Sequence, residues 1–144
     1  MALDTSDIVA IQQLEAFCHH AVDHEDQTLL PLAFAADARF DTRGCGGQIY
    51  DGIEAIVAFF ALGKPPHPPT HHMTNCVVYE KDGQVRVMMK WMVPSFDGRS
   101  VYGGRNDDVV VRTTDGWRIQ ERFATQLYPV DMKLGETGYK TGDA

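Results

Sequence analysis

The second half of the chain decides the fold, and its residues 70–127 read THHMTNCVVYEKDGQVRVMMKWMVPSFDGRSVYGGRNDDVVVRTTDGWRIQERFATQL. Short KDG, FDG and TTDG segments divide it into four strand-like runs, at residues 70–80, 84–94, 100–113 and 117–127. Each dividing segment contains Asp-Gly, the strongest short-range signal for a β-hairpin. Hydrophobic residues alternate from Val85 to Val93, which indicates a strand with one buried face. The pattern predicts an antiparallel meander with helices packed on one face.

The first half of the chain carries the helices. Hydrophobic residues recur at helical spacing from Ile8 to Val22, which predicts a first helix that ends near His24. A second, shorter helix is predicted at residues 26–35, and a third at residues 52–63 before a run of prolines. Short strands are expected between them, at residues 38–43 and 48–52. We therefore predict an α+β fold in which three N-terminal helices pack against a strongly curved mixed or antiparallel sheet, forming a cone with an internal pocket.

Size and charge narrow the possible functions. The 144 residues are enough for one domain with its own core, and we expect this domain at residues 1–128 and a C-terminal extension or flexible arm at 129–144. The formal net charge is −7 and Lys and Arg form no run, which argues against a nucleic acid or an anionic membrane surface as partner. A small neutral or apolar molecule is the expected ligand.

The cysteines and histidines give little support for a disulfide framework or a metal site. The three cysteines are widely spaced and form no CxxC pair, so reduced thiols and a cytoplasmic location are expected. His20 and His24 are four residues apart, a spacing that lets two imidazoles share a metal, but the HExxH pattern is absent. Together with His19 they are expected to decorate the polar side and the end of the first helix. We expect neither a metal nor another cofactor.

Two adjacent histidines open the first long strand, in the segment PPHPPTHHMTNCVVY at Pro65–Tyr79. A histidine has the right ordinary pKa for proton transfer near neutral pH. Strand alternation puts His71, Met73 and Asn75 on one face and His72 on the other, and both faces are mixed. Periodicity therefore leaves open which histidine points into the pocket, and either could be a surface or a structural residue.

Two charged residues are candidate partners for a histidine base. Asp23 lies at the C-terminal end of the first helix, where a carboxylate meets the negative end of the helix dipole, so it needs another reason to be there. It is either the carboxylate that orients the histidine or a solvated residue at the helix end. Arg122 on the last strand either stabilises negative charge in the pocket or pairs with an acid at the surface. The Gly103–Gly104 pair suggests a bulge in the third long strand.

Several short segments, taken together in this order, resemble those of a known superfamily. They are VDHED (22–26), FAADARFD (34–41), YDG (50–52), HHMTN (71–75), GGRNDD (103–108) and DGWRIQER (115–122). Over roughly residues 8–128 the chain resembles the SnoaL-like, nuclear-transport-factor-2-like cone fold. Its closest pattern is that of the branch with scytalone dehydratase and hexachlorocyclohexane dehydrochlorinase.

The resemblance implies roles for individual residues. It makes His71 the base, Asp23 the carboxylate that orients it, and Arg122 the pocket arginine. Cys18 stands where the dehydrochlorinase has a lysine, and Asn106 where many relatives have a tyrosine. The side chains expected to contact the substrate are Cys18, Met73, Asn75, Trp91 and Asn106.

The function expected from these features is that of a cofactor-independent lyase or isomerase, similar to a dehydratase, acting on a small, largely apolar cyclic substrate. One alternative is a non-catalytic ligand-binding or assembly subunit with the same fold. Another is an epoxide-type hydrolase, which needs an Asp-Arg-Asp set to which Arg105 and Asp107 could contribute. A homodimer or homotrimer is expected, with a sheet face that carries Met88, Lys90 and Met92 as its surface.

Overall fold

A computed structural model describes residues 2–129 of the chain, which contain two α-helices, one 3-10 helix and six strands. The helices are α1 (Thr5–Asp23), the 3-10 helix (Gln27–Leu32) and α2 (Ile53–Phe60). The strands are β1 (Phe34–Gly44), β2 (Ile49–Asp51), β3 (His72–Lys81), β4 (Gln84–Pro94), β5 (Val101–Thr113) and β6 (Gly116–Tyr128). Beyond Pro129, the expected C-terminal arm lies outside the described residues.

The six strands form one mixed sheet in the order β2-β1-β6-β5-β4-β3. Strands β3 to β6 are the predicted antiparallel meander, and β1 joins it by pairing in parallel with β6. The sheet is curled but does not close, because β2 and β3 remain its two edges. The α+β fold and the curved mixed sheet are thus confirmed. Neither α-helix in residues 2–129 has the length and hydropathy that a membrane span requires.

The hydrophobic core lies between the helices and the sheet. Helix α1 is capped by Asp4, whose side chain accepts a hydrogen bond from the Asp7 amide at 2.8 Å. Its buried face packs mainly against the 3-10 helix, β3 and β6. The largest fully buried hydrophobic side chains are those of Ile11, Leu30, Phe34, Ile56, Val87, Met89 and Ile119.

The predicted second helix is only the 3-10 helix Gln27–Leu32, and residues 34–37 belong to β1. The cause is long-range pairing, since Phe34 lies opposite Ile119 and the Ile119 amide donates to the Ala33 carbonyl oxygen at 2.8 Å. Pro31 has no amide hydrogen to donate, which also disfavours a continued α-helix. Strand β1 is therefore longer than the predicted strand at 38–43, and α2 is shorter than the predicted helix at 52–63.

A bulge in β3 changes which of its residues face the core. Asn75 has a φ of 55°, and the pairing of β3 with β4 shifts register between Thr74 and Val77. Met73 packs against the core before the bulge, whereas Cys76 and Val78 do so after it. Asn75 itself is exposed. The uniform alternation expected for this strand is wrong because the extra residue reverses the facing of every later side chain.

The loop between α2 and β3 is tied to the end of α1 by Lys64. Its Nζ donates to the Asp23 carbonyl oxygen at 2.6 Å and to the Pro69 carbonyl oxygen at 3.0 Å. A cation at this place also complements the negative end of the helix dipole. Lys64 therefore holds the proline-rich loop, and with it the start of β3, against the first helix.

A buried ionic cluster joins β6, β5 and α1. Arg122 is only 5% exposed, and its Nε lies 3.1 and 3.0 Å from the two Asp108 carboxylate oxygens. Its Nη2 lies 2.5 Å from both Glu15 Oε2 and Asp108 Oδ2, and its Nη1 lies 3.2 Å from Cys18 Sγ. Glu15 and Asp108 are both buried. Because an unpaired buried charge is costly, this contact fixes the orientation of α1 on the sheet.

The cluster contains two carboxyl groups and one cation, so one carboxyl group must hold a proton to make it neutral. Burial, followed by the nearby Asp108 charge, raises the pKa of Glu15 well above its ordinary value of 4.5. Burial also raises the pKa of Asp108, while Arg122 opposes that rise. Since Asp108 makes the bidentate contact with Arg122, we assign the proton to Glu15 and the negative charge to Asp108.

The raised pKa of Glu15 predicts a pH-dependent effect of Glu15→Gln. The folded chain keeps the Glu15 proton at a pH where the unfolded chain has lost it, so the stabilisation from that proton is complete below about pH 4.5 and is lost as pH rises through the folded-state pKa. The permanently neutral Gln avoids this loss. Urea unfolding from pH 4 to pH 8 should therefore show Glu15→Gln gaining stability relative to the natural chain as pH rises. Exposed Glu80→Gln is the control, and an equal pH dependence for both variants would contradict the assignment.

The Lys64 contacts predict a local effect of Lys64→Met. Two hydrogen bonds from a charged donor are lost, so the free energy of unfolding should fall by about 1–3 kcal/mol. The loop should also loosen, so amide hydrogen exchange at His71 should become faster than in the natural chain. Lys81→Met, at the exposed last residue of β3, is the matched control. The loop is held by other contacts if exchange at His71 is the same in both variants.

Candidate active site

A cavity of about 580 Å³ lies between the helices and the curled sheet. This is a size typical of sites for small ligands. Both α-helices, the proline-rich loop before β3 and every strand except β3 contribute to its wall, which carries seven aromatic side chains. The aromatic side chains are Phe40, Tyr50, Phe59, Phe60, Trp91, Phe96 and Tyr102.

His71 reaches this cavity from the residue before β3, and its ring is hydrogen-bonded to Asp23. The distance from His71 Nδ1 to Asp23 Oδ1 is 2.6 Å. The two side chains are 20% and 17% exposed, so the pair is largely shielded from water. A carboxylate can only accept a hydrogen bond, so Nδ1 carries the proton and the neutral ring has its lone pair on Nε2. His71 thus lines the cavity, while His72 is exposed.

Asp23 accepts two further hydrogen bonds from the same segment. Its Oδ2 lies 2.8 Å from the backbone nitrogen of His71 and 3.1 Å from Thr70 Oγ1. Burial alone raises the pKa of Asp23, but the hydrogen bonds from His71 and Thr70 outweigh it and hold this pKa below its ordinary value. Asp23 is therefore ionised at neutral pH. These three donors also offset its unfavourable place at the end of α1.

A second histidine, His19, also lines the cavity, and our expectation that it decorates the polar side of α1 is wrong. It is 6% exposed, and its Nδ1 lies 2.8 Å from the Glu15 carbonyl oxygen. Its ring centroid is 5.9 Å from that of His71. One row of α1 at a spacing of four residues carries Ile11, Glu15, His19 and Asp23. Three titratable groups in line with a core residue are the sequence signal that could have found this histidine.

Arg122, Asn106 and Trp91 lie in the cavity wall. Four of the five Arg122 N–H groups are directed at the acids and at Cys18, which leaves one on Nη1. Asn106 is 5% exposed, on β5 between Met89 and Ala124. Trp91 packs closely over Gly104, where a Cβ would clash with its ring. The predicted bulge is present, as β5 and β6 shift register between Gly103 and Gly104.

Cys18, Met73 and Asn75 are also expected to contact the substrate, but none of these three residues lines the cavity. Cys18 is fully buried beneath it, and burial raises the pKa of its thiol to about 12. Met73 packs against the core, and Asn75 is exposed at the bulge. Arg105 pairs with Asp107 at 2.7 Å on the outer face of the sheet, away from this cavity. Residues 2–129 contain no group of three or more side chains placed to hold a metal ion.

Solved structures share the architecture around this cavity. A protein from Novosphingobium aromaticivorans, named for a proposed aromatic ring hydroxylase activity, is 28% identical with a TM-score of 0.72, over 94% of this chain and 99% of that one. A cystatin-like-fold protein from Nostoc punctiforme is 18% identical with a TM-score of 0.75, over 88% and 95%. LinA is 19% identical with a TM-score of 0.69, over 89% and 92%.

A comparison of the sequence with protein families gives a more specific result. No curated protein matches the sequence significantly. The sequence pattern of the SnoaL-like domain, however, matches residues 4–123, which include every strand from β1 to β5 and most of β6. The cone fold expected from the short sequence segments is the fold of the solved structures as well. The chain therefore belongs to the SnoaL-like domain family.

Proposed function

We propose that the chain is a cofactor-independent lyase or isomerase, similar to a dehydratase, that acts by proton abstraction on a small, largely apolar cyclic substrate. The observation that carries the proposal is the 2.6 Å contact between His71 Nδ1 and Asp23 Oδ1 at the wall of a 580 Å³ cavity. A base oriented by a carboxylate and facing an apolar space is the arrangement that general base catalysis requires.

In the proposed reaction, His71 Nε2 takes a proton from a carbon of the substrate. The electron pair of the broken C–H bond forms a new double bond, either as a leaving group departs or as a neighbouring carbonyl becomes an enolate. Asp23 stabilises the imidazolium that forms. The imidazolium then returns its proton, to the leaving group in a lyase or to another carbon in an isomerase.

Arg122 and Asn106 are the proposed donors to the negative charge that develops on the substrate. Arg122 has one N–H left on Nη1, and Asn106 has a buried amide in the same wall. Because Asp108 balances the charge of Arg122, this arginine acts mainly as a fixed hydrogen-bond donor. Donors held rigidly in a dry site stabilise such charge without reorganisation.

The aromatic wall supports a flat or cyclic substrate. Tyr50 and Phe59 stack with ring centroids 4.3 Å apart, and Phe40 stacks on Phe60 at 5.9 Å. Such surfaces favour the faces and edges of another ring. The Novosphingobium protein carries a name that proposes action on an aromatic ring, which agrees in substrate type with this wall.

A ligand carrier is the second candidate, since a large apolar cavity also suits binding without chemistry. The epoxide-type hydrolase is less favoured by the geometry. Arg122 lies between two acids, Glu15 and Asp108. Neither acid lines the cavity, where one of them would have to activate a water.

We also propose that the chain forms a homodimer or homotrimer through the outer face of the sheet. Val77, Met88, Met92 and Phe123 are each between 39% and 46% exposed there. Val77 lies directly opposite Met88 in the sheet, so part of this apolar surface is continuous. Sedimentation velocity of the purified chain distinguishes these assemblies from a monomer.

The base can be tested before the substrate is known, with nitrobenzisoxazole as a probe. Its isoxazole ring opens at the N–O bond to give a coloured cyanophenolate once a base removes the single C–H proton of that ring. His71→Gln should lower kcat/KM for the probe by roughly 10²–10⁴-fold. Asp23→Asn should lower it as well, because the amide can donate to Nδ1 and so favours the tautomer with the proton on Nε2.

The matched control is His72→Gln, which changes an exposed histidine next to the proposed base. It should leave the rate of the natural chain unchanged, and circular dichroism should show that all three variants are folded. Ring opening at an equal rate in the natural chain and in His71→Gln would remove the proposed base and favour the ligand carrier.

A further inference from the structure

The structure fixes the hydrogen-bonding state of His19. A carbonyl oxygen can only accept, so the 2.8 Å contact with the Glu15 carbonyl places the proton of the neutral ring on Nδ1. The Nε2 atom is then left with a lone pair. Since His19 lines the cavity and is 6% exposed, this acceptor lies in the wall at the side of His71.

The surroundings of His19 keep its ring uncharged. Burial has the largest effect, followed by the positive charge of Arg122, and together they lower its pKa to about 3. The hydrogen bond to Glu15 and the charge of Asp23 act in the opposite direction but are weaker, and His71 adds to the lowering. At ordinary pH the Nε2 atom is therefore an acceptor and not a donor.

No residue among 2–129 donates a hydrogen bond to His19 Nε2, so its partner must come from the cavity. Because His19 lines the cavity, a bound molecule that displaces water from Nε2 must offer this atom a donor or lose a hydrogen bond. The His71 Nε2 atom is also an acceptor, and the two ring centroids are 5.9 Å apart. One small ring can therefore meet both histidines at once.

We propose that His19 Nε2 accepts a hydrogen bond from a hydroxyl group of the substrate, so that the substrate is a cyclic alcohol or a phenol. The inference rests on one part of the proposed function, namely that this cavity holds the substrate. His19 determines specificity and takes no part in bond making. With the hydroxyl held at His19, a nearby C–H of the same ring is presented to His71.

The inference is tested by comparing β-naphthol with naphthalene, two probes of one shape that differ by a hydroxyl group. The dissociation constant of each is measured by fluorescence for the natural chain and for His19→Phe and His19→Gln. The preference for β-naphthol should fall about tenfold in His19→Phe, which corresponds to about 1.4 kcal/mol. The Gln side chain can offer an oxygen acceptor in place of Nε2, so His19→Gln should keep most of the preference for β-naphthol.

Two further variants make the result specific. His20→Phe changes the exposed neighbour of His19 and should keep the preference of the natural chain. His71→Phe tests whether the other histidine binds the hydroxyl, and it should also keep most of the preference. The inference is overturned if the preference survives in His19→Phe or disappears only in His71→Phe. Either outcome leaves the nitrobenzisoxazole test of the base intact, so the two proposals fail separately.

A crystal structure of the natural chain with β-naphthol gives a readout that needs no variant. The hydroxyl oxygen should lie within hydrogen-bond distance of His19 Nε2. A hydroxyl that points to the cavity mouth, or to His71 alone, would overturn the inference even if His19→Phe proved unable to fold.

Discussion

The candidate site depends on the hydrogen bonds that the Asp23 carboxylate accepts. One side chain at the end of α1 accepts hydrogen bonds from Thr70 Oγ1, from the His71 backbone and from the His71 ring. It thereby fixes the path of the loop, the start of β3 and the tautomer of the proposed base together. The negative charge of Asp23 is unfavourable beside the negative end of the helix dipole, and the three hydrogen-bond donors offset this cost.

The Arg122 cluster does for the fold what Asp23 does for the site. Arg122, Asp108 and Glu15, all with almost no exposure, hold α1 against β5 and β6, and the proton assigned to Glu15 makes the cluster neutral. Hydrophobic side chains of the same volume could stabilise the position of this cluster as well. The arginine, however, also lines the cavity, and its charge adds to the larger effect of burial in lowering the pKa of His19, so the same cluster shapes the polarity of the pocket.

The sequence predicted those features that depend on neighbouring residues. Asp-Gly turns and alternating side chains define the meander, and helical spacing defines α1. It missed the start of β1, because that strand depends on parallel pairing between Phe34 and Ile119, which are far apart in the chain. It also missed the reversal of β3 at Asn75, since one residue with a positive φ leaves no trace in a hydropathy pattern.

The sequence likewise predicted only part of the candidate site. Strand alternation alone did not choose between His71 and His72, and the resemblance to a known family did. His19 was missed because a buried histidine and a surface histidine look alike in sequence unless the whole row that contains Glu15 and Asp23 is considered. The measurement that bears most directly on the proposed base is ¹⁵N NMR of the imidazole of His71 in its neutral form. A base oriented by Asp23 requires a protonated Nδ1 and an unprotonated Nε2, with this balance lost in Asp23→Asn; a proton on Nε2 in the natural chain would contradict it.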